Sequence, residues 1–156
     1  MRAEINLLAG EDASALQALE SRMLDALKSG ISVIVFTAEG PDDALASSAS
    51  PPALSTSEMA QRIGHLFARL TRSAFAQAGL QRLVVAGGDS SSFTMREIGA
   101  RALEIKASHF VQNAHVCALI SDDPLIRAKE VLLKGGQVGQ THLYGLMLEG
   151  FSNANE

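Results

Sequence analysis

A stretch near the middle of the chain places glycines, a carboxylate and hydroxyl groups directly after an apolar run. The run covers 83–86, and the residues that follow it are Gly87, Gly88, Asp89, Ser90 and Ser91. Helical character follows at 93–98, so the pattern predicts a buried strand, a tight turn and a helix N-terminus. The first amides of a helix lack intrahelical acceptors and carry partial positive charge. This stretch could therefore hold an anion such as a phosphate group.

Two interpretations of this turn stay open at the level of the residues. Gly87 and Gly88 allow positive φ and let a ligand approach the backbone without a Cβ in the way. Ser90 and Ser91 can donate hydroxyl hydrogen bonds to that ligand or cap the helix. The alternative is a purely structural strand-to-helix turn with Asp89 or Ser90 as the N-cap.

A second stretch has the same organisation. The stretch at 130–133, Glu130 followed by three apolar residues, predicts a strand, and a helix is expected from near residue 141. Between them lie Lys134, Gly135, Gly136, Gln137, Val138 and Gly139. Two glycine-rich strand-to-helix turns in one small domain can face each other at one sheet edge. A cation at Lys134 would then complement a phosphate that the first turn holds.

These paired stretches resemble the C-terminal nucleotide-binding domain of the four-carbon acid sugar kinases. That family typically has Ala-Gly-Gly-Asp/Glu-Thr-Ser in the first stretch and either Lys-Ser-Gly-Asn-Phe-Gly or Lys-Gly-Gly-Gln-Val-Gly in the second. The resemblance covers about 12–148. Ser90 stands where threonine is usual, and it keeps the hydroxyl group.

The resemblance implies ATP and Mg²⁺ as cofactors. It implies that Gly87, Gly88, Asp89 and Ser90 hold the nucleotide phosphates, while Gly135 and Gly136 let the second turn close over the nucleotide. Ser91, Gln137 and Gly139 belong to the same two motifs as binding candidates. Lys134 either contacts phosphate or solvates a strand end, and Asp89 either binds Mg²⁺ through water or caps the helix.

The resemblance also implies partners. Complete members of the family phosphorylate threonate, erythronate or 3-oxo-tetronate and carry an N-terminal acid-sugar domain, which nothing here resembles. We therefore expect the C-terminal part of a longer two-domain chain, with the catalytic base outside it and little sugar-acid turnover by this part. The exposed face left by a missing partner could make it a homodimer. The alternative function is a stand-alone regulatory module that binds a phosphorylated ligand.

Composition and missing motifs exclude other classes. A net charge of −4 over 156 residues gives no basic field for nucleic acid. Cys117 is the single cysteine, so no internal disulfide forms and a cytoplasmic location is expected. The sequence has no signal peptide and no apolar run of about 18 residues, so no membrane segment is expected. P-loop, dinucleotide-binding, Gly-x-Ser-x-Gly and His-Glu-x-x-His motifs are absent, and no metal-ligand set stands out.

The remaining elements predict an α/β fold of three layers, α/β/α, with a mixed and mostly parallel sheet. Amphipathic helices are expected at 12–29 and 55–78, the second with a Ser55-x-x-Glu58 capping box. The β-branched run at 31–37 predicts an inner strand covered on both faces. The alternation at 101–106 predicts an edge strand with Leu103 and Ile105 inward.

One segment breaks this pattern. Residues 39–57 contain a Gly-Pro-Asp-Asp turn, a Pro-Pro pair and several serines, which predicts a mobile surface loop within one domain that covers 1–156. Asp42 and Asp43 in this loop are interpreted as a solvated turn in preference to a metal site.

Overall fold

The structure is a computed structural model, and it describes residues 1–3, 13–40, 43, 55–111, 114–135, 139 and 142–149, with only the backbone described at 107–111. The elements in chain order are α1 (Ala13–Lys28), α2 (Thr56–Gln77), β1 (Arg82–Ala86), α3 (Gly88–Glu97), β2 (Ala102–Val111), β3 (Ala114–Ile120), β4 (Glu130–Lys134) and α4 (Leu143–Glu149). Most of the predicted loop at 39–57 lies outside the described residues. None of the described helices is long and apolar enough to cross a bilayer.

The two predicted amphipathic helices form and pack on each other. At the start of α2 the Ser55 hydroxyl accepts from the Glu58 amide, and the Glu58 carboxylate accepts from the Ser55 amide over 2.8 Å, so the predicted capping box is confirmed. The apolar face of α1 buries Leu19, Met23 and Leu24 against the α2 face that carries Leu66, Leu70 and Ala74. The spacing of these residues matches the period of a helix, which is why the sequence predicted both elements.

The four described strands form one mixed sheet in the order β1-β4-β3-β2. β1 pairs with β4 in parallel, whereas β4 with β3 and β3 with β2 are antiparallel. The predicted mixed sheet is confirmed, but among the described strands parallel pairing is the minority. The reason is connectivity, because only two residues separate β2 from β3 and nine separate β3 from β4, and short connections give antiparallel neighbours.

Helices cover both faces of this sheet, so the three-layer α/β/α architecture is confirmed. On one face Val85, Val131 and Leu119 pack with α2 and α3 through residues such as Phe75 and Ile98. On the other face Val116 and Leu132 pack with Leu143 and Met147 of α4. Successive residues of a strand point to opposite faces, so β4 supplies Val131 to one layer and Leu132 to the other.

Among the described residues, the predicted inner strand at 31–37 does not join the four-stranded sheet. Its one β-bridge to the described part of the chain is the isolated parallel bridge between Arg2 and Phe36, and Ile31 and Ile34 are 60% and 55% exposed. Its side chains Val33 and Val35 pack with the α1–α2 cluster. A β-branched run predicts extended backbone, but it does not specify which layer the segment joins.

β2 is the edge strand that the alternation predicted, but Leu103 and Ile105 are 41% and 59% exposed, so their predicted inward placement is wrong. The core on their face of the sheet takes side chains from β1, β4 and β3, and none from the described side chains of β2. The helix layer therefore ends before the edge strand.

Candidate functional site

The two glycine turns leave the same edge of the sheet. β1 and β4 are parallel and in register, with Ala86 opposite Lys134 at the last pair of the ladder. The next residue, Gly87, donates its amide hydrogen to the Lys134 carbonyl oxygen over 3.0 Å. The structure therefore places the starts of the two turns side by side, as the sequence predicted, and residues 136–138 of the second turn lie outside the described residues.

The first turn connects β1 to α3 through Gly87. Gly87 is the N-cap with φ 106° and ψ 131°, and no side chain caps the helix, so the predicted cap at Asp89 or Ser90 is wrong. A positive φ of this kind is costly for a residue with a Cβ, which explains the glycine. The first intrahelical bond runs from the Ser91 amide to the Gly87 carbonyl over 2.9 Å. The amides of residues 88–90 consequently have no acceptor within the helix.

The side chains of this turn divide into two groups. Gly88 and Asp89 are exposed and Ser90 is half-buried. Ser91 is buried, and its hydroxyl donates to the Val85 carbonyl over 3.3 Å, which ties the helix to the strand before it. Ser91 is thus placed to support the turn, and the amides beside Gly88, with the Asp89 and Ser90 side chains, face the outside.

Gly88 leaves room above those amides. A Cβ built on Gly88 would meet no heavy atom of the described residues within 4 Å, and its φ is not positive. Neither the backbone conformation nor packing against the described part of the chain requires glycine here. The absence of a side chain instead keeps open the space through which an anion would approach the amides.

The second turn begins at Lys134, which is half-buried, and whose ammonium group donates to the Gly135 carbonyl over 3.0 Å. Gly135 is exposed. Gly139 has φ 110°, and a Cβ on it would lie 2.8 Å from Cδ2 of the buried Leu143. Backbone conformation and packing therefore both explain a glycine at this position. The candidates Gly136 and Gln137 lie outside the described residues.

Helix α3, which follows the first turn, packs closely against α2. A Cβ on Gly64 of α2 would lie 2.2 Å from Cβ of Phe93 and 3.1 Å from the Thr94 amide nitrogen, so the two helices touch through their backbones. Such an approach requires a glycine at the crossing point. Its role could not be predicted from the sequence, since a single glycine inside an amphipathic helix gives a weak signal.

A cavity of about 340 Å³ lies between α2 and the C-terminal end of α3, away from the glycine turns. Its charged side chains are His65, Arg69, Arg72 and Glu97. They are paired within the protein, His65 with Glu97, Arg69 with Glu20 and Arg72 with Asp123. Among the described residues no group of three or more His, Cys, Asp or Glu side chains is placed to hold a metal ion.

The arrangement at the glycine turns is suited to binding an anion with several oxygens. It offers consecutive amides without an acceptor in the helix, at the positive end of a ten-residue helix, and a lysine across the edge. The exposed Asp89 carboxylate stands beside them and would need a cation between it and the anion. It contains no nucleophile paired with a general base among the described side chains of the two turns. This surface can hold and neutralise a ligand, and a reacting hydroxyl would have to come from elsewhere.

Comparisons with known proteins agree with this geometry. The family described as "nucleotide-binding C-terminal domain" matches residues 2–143. A 3-oxo-isoapionate kinase from Paraburkholderia graminis is 34% identical over 144 residues, which cover 90% of this chain and 30% of that protein. The chain therefore spans about a third of the length of this curated relative.

Solved structures share the fold. A crystal structure of a domain of unknown function from Bordetella bronchiseptica, a domain-swapped dimer with bound citrate, matches with a TM-score of 0.62 and 19% identity over 92% of this chain and 32% of that one. A second crystal form of that protein matches with a TM-score of 0.53 and 20% identity over 82% of this chain and 29% of that one.

Proposed function

Because this chain belongs to the family of nucleotide-binding C-terminal domains, we propose that it is the ATP-binding domain of a kinase that phosphorylates a sugar acid. The observation that carries this proposal is the parallel register of β1 and β4. It brings the open N-terminus of α3 beside Lys134 at one sheet edge. The resemblance that the sequence showed to the acid sugar kinases is confirmed by the family match and by the relative.

The proposed contacts to ATP are made first by the backbone. The amides of residues 88–90 donate to phosphate oxygens, and the Ser90 hydroxyl adds a further donor. The Lys134 ammonium adds positive charge from the second turn, as a flexible point charge does in other phosphate sites. Gly135 and the rest of that turn line the other side of the nucleotide.

The position of the Asp89 carboxylate supports a Mg²⁺ ion at the site. Its exposed carboxylate does not cap α3, and it stands in the first turn, where it would repel a phosphate group. A divalent cation between the carboxylate and the phosphate oxygens removes this repulsion, and Mg²⁺ commonly takes one or two carboxylates, phosphate oxygens and water. We therefore place Asp89 on the Mg²⁺ side of ATP, directly or through water.

Bound ATP would supply the γ-phosphoryl group, which a sugar-acid hydroxyl accepts while ADP leaves. The described residues at the turns supply positioning and charge neutralisation. They supply no base for the acceptor hydroxyl. Since the relative is about three times as long, we place the base and the sugar-acid site in an N-terminal partner domain.

The substrate class follows from the relative. That protein is a 3-oxo-isoapionate kinase, so a sugar acid is the class that we propose for this one, and a four-carbon acid of the threonate, erythronate or 3-oxo-tetronate type is the finer expectation. The solved neighbours are domain-swapped dimers, and we propose a homodimer here as well, which light scattering of the purified chain would test.

Calorimetric titration of ATP–Mg²⁺ into the parent chain and into Gly88→Val tests the site. The variant crowds the space above the amides, whereas no atom of the described residues lies within 4 Å of the new Cβ, so the fold should be kept. Gly40→Val is the matched control, because its Cβ also meets open space but lies outside the turns.

Binding by the parent and by Gly40→Val, lost in a folded Gly88→Val, would support the proposal. Equal binding by all three proteins would move the nucleotide away from this turn. A parent chain that binds other phosphorylated compounds but not ATP would favour the regulatory module.

A further inference from the structure

Resting on the proposed function, we propose that Arg72 is a positioning residue that sets the direction of α3 and thereby aims its N-terminal amides at the nucleotide. Arg72 lies on α2 and uses the two arms of its guanidinium group for different partners. Nη1 donates to the Ile98 carbonyl, at the C-cap of α3, over 3.0 Å, and Nη2 donates to the Asp123 carboxylate over 2.7 Å.

The carboxylate partner is itself held in place. The Leu125 amide donates to the second oxygen of Asp123 over 2.9 Å, and the Asp123 amide donates to the Ser121 hydroxyl over 3.1 Å. The Ser121 hydroxyl in turn donates to the Gly99 carbonyl over 2.8 Å. The C-terminal end of α3 is thus bound to α2 and to the turn between β3 and β4. We call this set, Arg72, Ser121 and Asp123, the α3 clamp.

The start of α3 is held to the sheet by few bonds. It joins β1 through Gly87 and Gly88, and glycines restrict the backbone less than any other residue. The Ser91 hydroxyl ties the first turn of the helix to β1. The direction of the rest of the axis is set by the crossing of α2 at Gly64, by the buried Met95 and Ile98, and by the α3 clamp at the far end.

The clamp also suits the electrostatics of the site. A guanidinium group at the C-terminal carbonyls of α3 is favourable for the helix dipole, whose positive end lies about 15 Å away at the proposed phosphate contacts. Hydrogen bonds from amides to phosphate oxygens weaken steeply with distance and angle. A small change in the direction of the axis is therefore enough to weaken several of them together.

The helix on the other face of the sheet is held in the same way. Arg82 of β1 pairs with Glu130 over 2.7 Å and donates to the carbonyl of Met147 near the end of α4. Each helix that follows a glycine turn therefore has C-terminal carbonyls bound by an arginine with a carboxylate partner. The repetition favours positioning of the two turns over a chance surface pair.

The test compares Arg72→Met with Arg69→Met in the full chain. Arg69 lies on the same helix, and its side chain is 50% exposed, against 41% for Arg72. It pairs with Glu20 of α1, so its substitution removes an ion pair that does not involve α3. The two measurements are the Kd for ATP–Mg²⁺ and the hydrogen exchange of the amides at 91–95, both well below the unfolding temperature.

We expect Arg72→Met to raise the Kd about fivefold and to speed exchange at 91–95, with both values unchanged in Arg69→Met. Arg72→Lys keeps the charge, but an ammonium group cannot reach both acceptors as the planar guanidinium group does. The Kd of this variant should therefore lie between those of the parent and Arg72→Met. An unchanged Kd in Arg72→Met, or an equal rise in Arg69→Met, would overturn the proposal. If the parent binds no ATP, the proposed function fails, and unchanged exchange at 91–95 in Arg72→Met would overturn the positioning of α3 separately.

Discussion

The amide of Gly87 donates a hydrogen bond to the carbonyl oxygen of Lys134 over 3.0 Å, and this bond extends the parallel β1–β4 ladder into the two glycine turns. The bond fixes the positive end of α3 beside the lysine of the second turn. The two stretches are more than 40 residues apart in the sequence, and here they form one surface. Substitutions at this junction should therefore affect the fold and the site together.

Gly87→Ala should destabilise the fold, whereas Gly88→Ala should not. Gly87 holds φ at 106°, and a non-glycine residue in such a region costs about 1–3 kcal/mol. Gly88 has no positive φ and faces open space. Urea unfolding of both variants measures the difference, and equal midpoints would show that the Gly87 conformation is not strained for alanine.

Much of this site could be predicted from the sequence, because its signals are local. An apolar run ending in two glycines, followed by helical character, specifies a strand, a turn and a helix N-terminus at 83–98. The capping box at Ser55 and Glu58 is equally local. Each of these features depends on residues within one turn of helix or one short strand.

The features that could not be predicted depend on partners distant in sequence. The segment 31–37 has the composition of an inner strand, yet it packs with α1 and α2. Leu103 and Ile105 alternate as a half-buried strand would, but the helix layer does not extend over them. Periodicity gives the two faces of a strand, and tertiary packing decides whether either face is covered.

Gly64→Ala should destabilise the protein although alanine is the better helix former. The new Cβ would lie 2.2 Å from Cβ of Phe93, so α2 and α3 must separate, at a cost of about 1–3 kcal/mol. The matched control is Gly145→Ala in α4, where the Cβ meets nothing within 4 Å and alanine should stabilise by about 0.5–1 kcal/mol. Thermal unfolding of the two variants should move in opposite directions. An unchanged or raised midpoint in Gly64→Ala would show that the helices do not touch at Gly64.

Thr94→Val should stabilise the protein. The Thr94 hydroxyl oxygen is fully buried and is without a hydrogen-bond partner among the described residues. Valine has the same shape and removes the unpaired group, which is worth about 1 kcal/mol. Thr94→Ser is the control, since it keeps the hydroxyl and loses a methyl group, and it should destabilise. A loss of stability in Thr94→Val, measured by urea unfolding, would indicate that the hydroxyl has a partner.

The stability contributed by Asp123 should be lost in acid. Its pKa is lowered by the hydrogen bond from the Leu125 amide and by the Arg72 guanidinium group. A carboxyl whose pKa is lower in the folded state stabilises the fold above its unfolded value of about 3.9, and this contribution disappears as the pH falls through the folded value. Unfolding midpoints of the parent and of Asp123→Asn should therefore differ at pH 6 and converge from about pH 4 downwards.

The asparagine keeps an oxygen that can accept from Leu125, so the difference reports mainly the charge on the carboxylate. Glu58→Gln is an independent comparison, because the pKa of Glu58 is lowered by its bonds to Ser55 at the other end of α2. Its curve should converge with that of the parent in the same direction, without any change in hydrogen exchange at 91–95. Midpoints of the parent and Asp123→Asn that stay parallel down to pH 2 would show that the ion pair with Arg72 does not stabilise the folded chain.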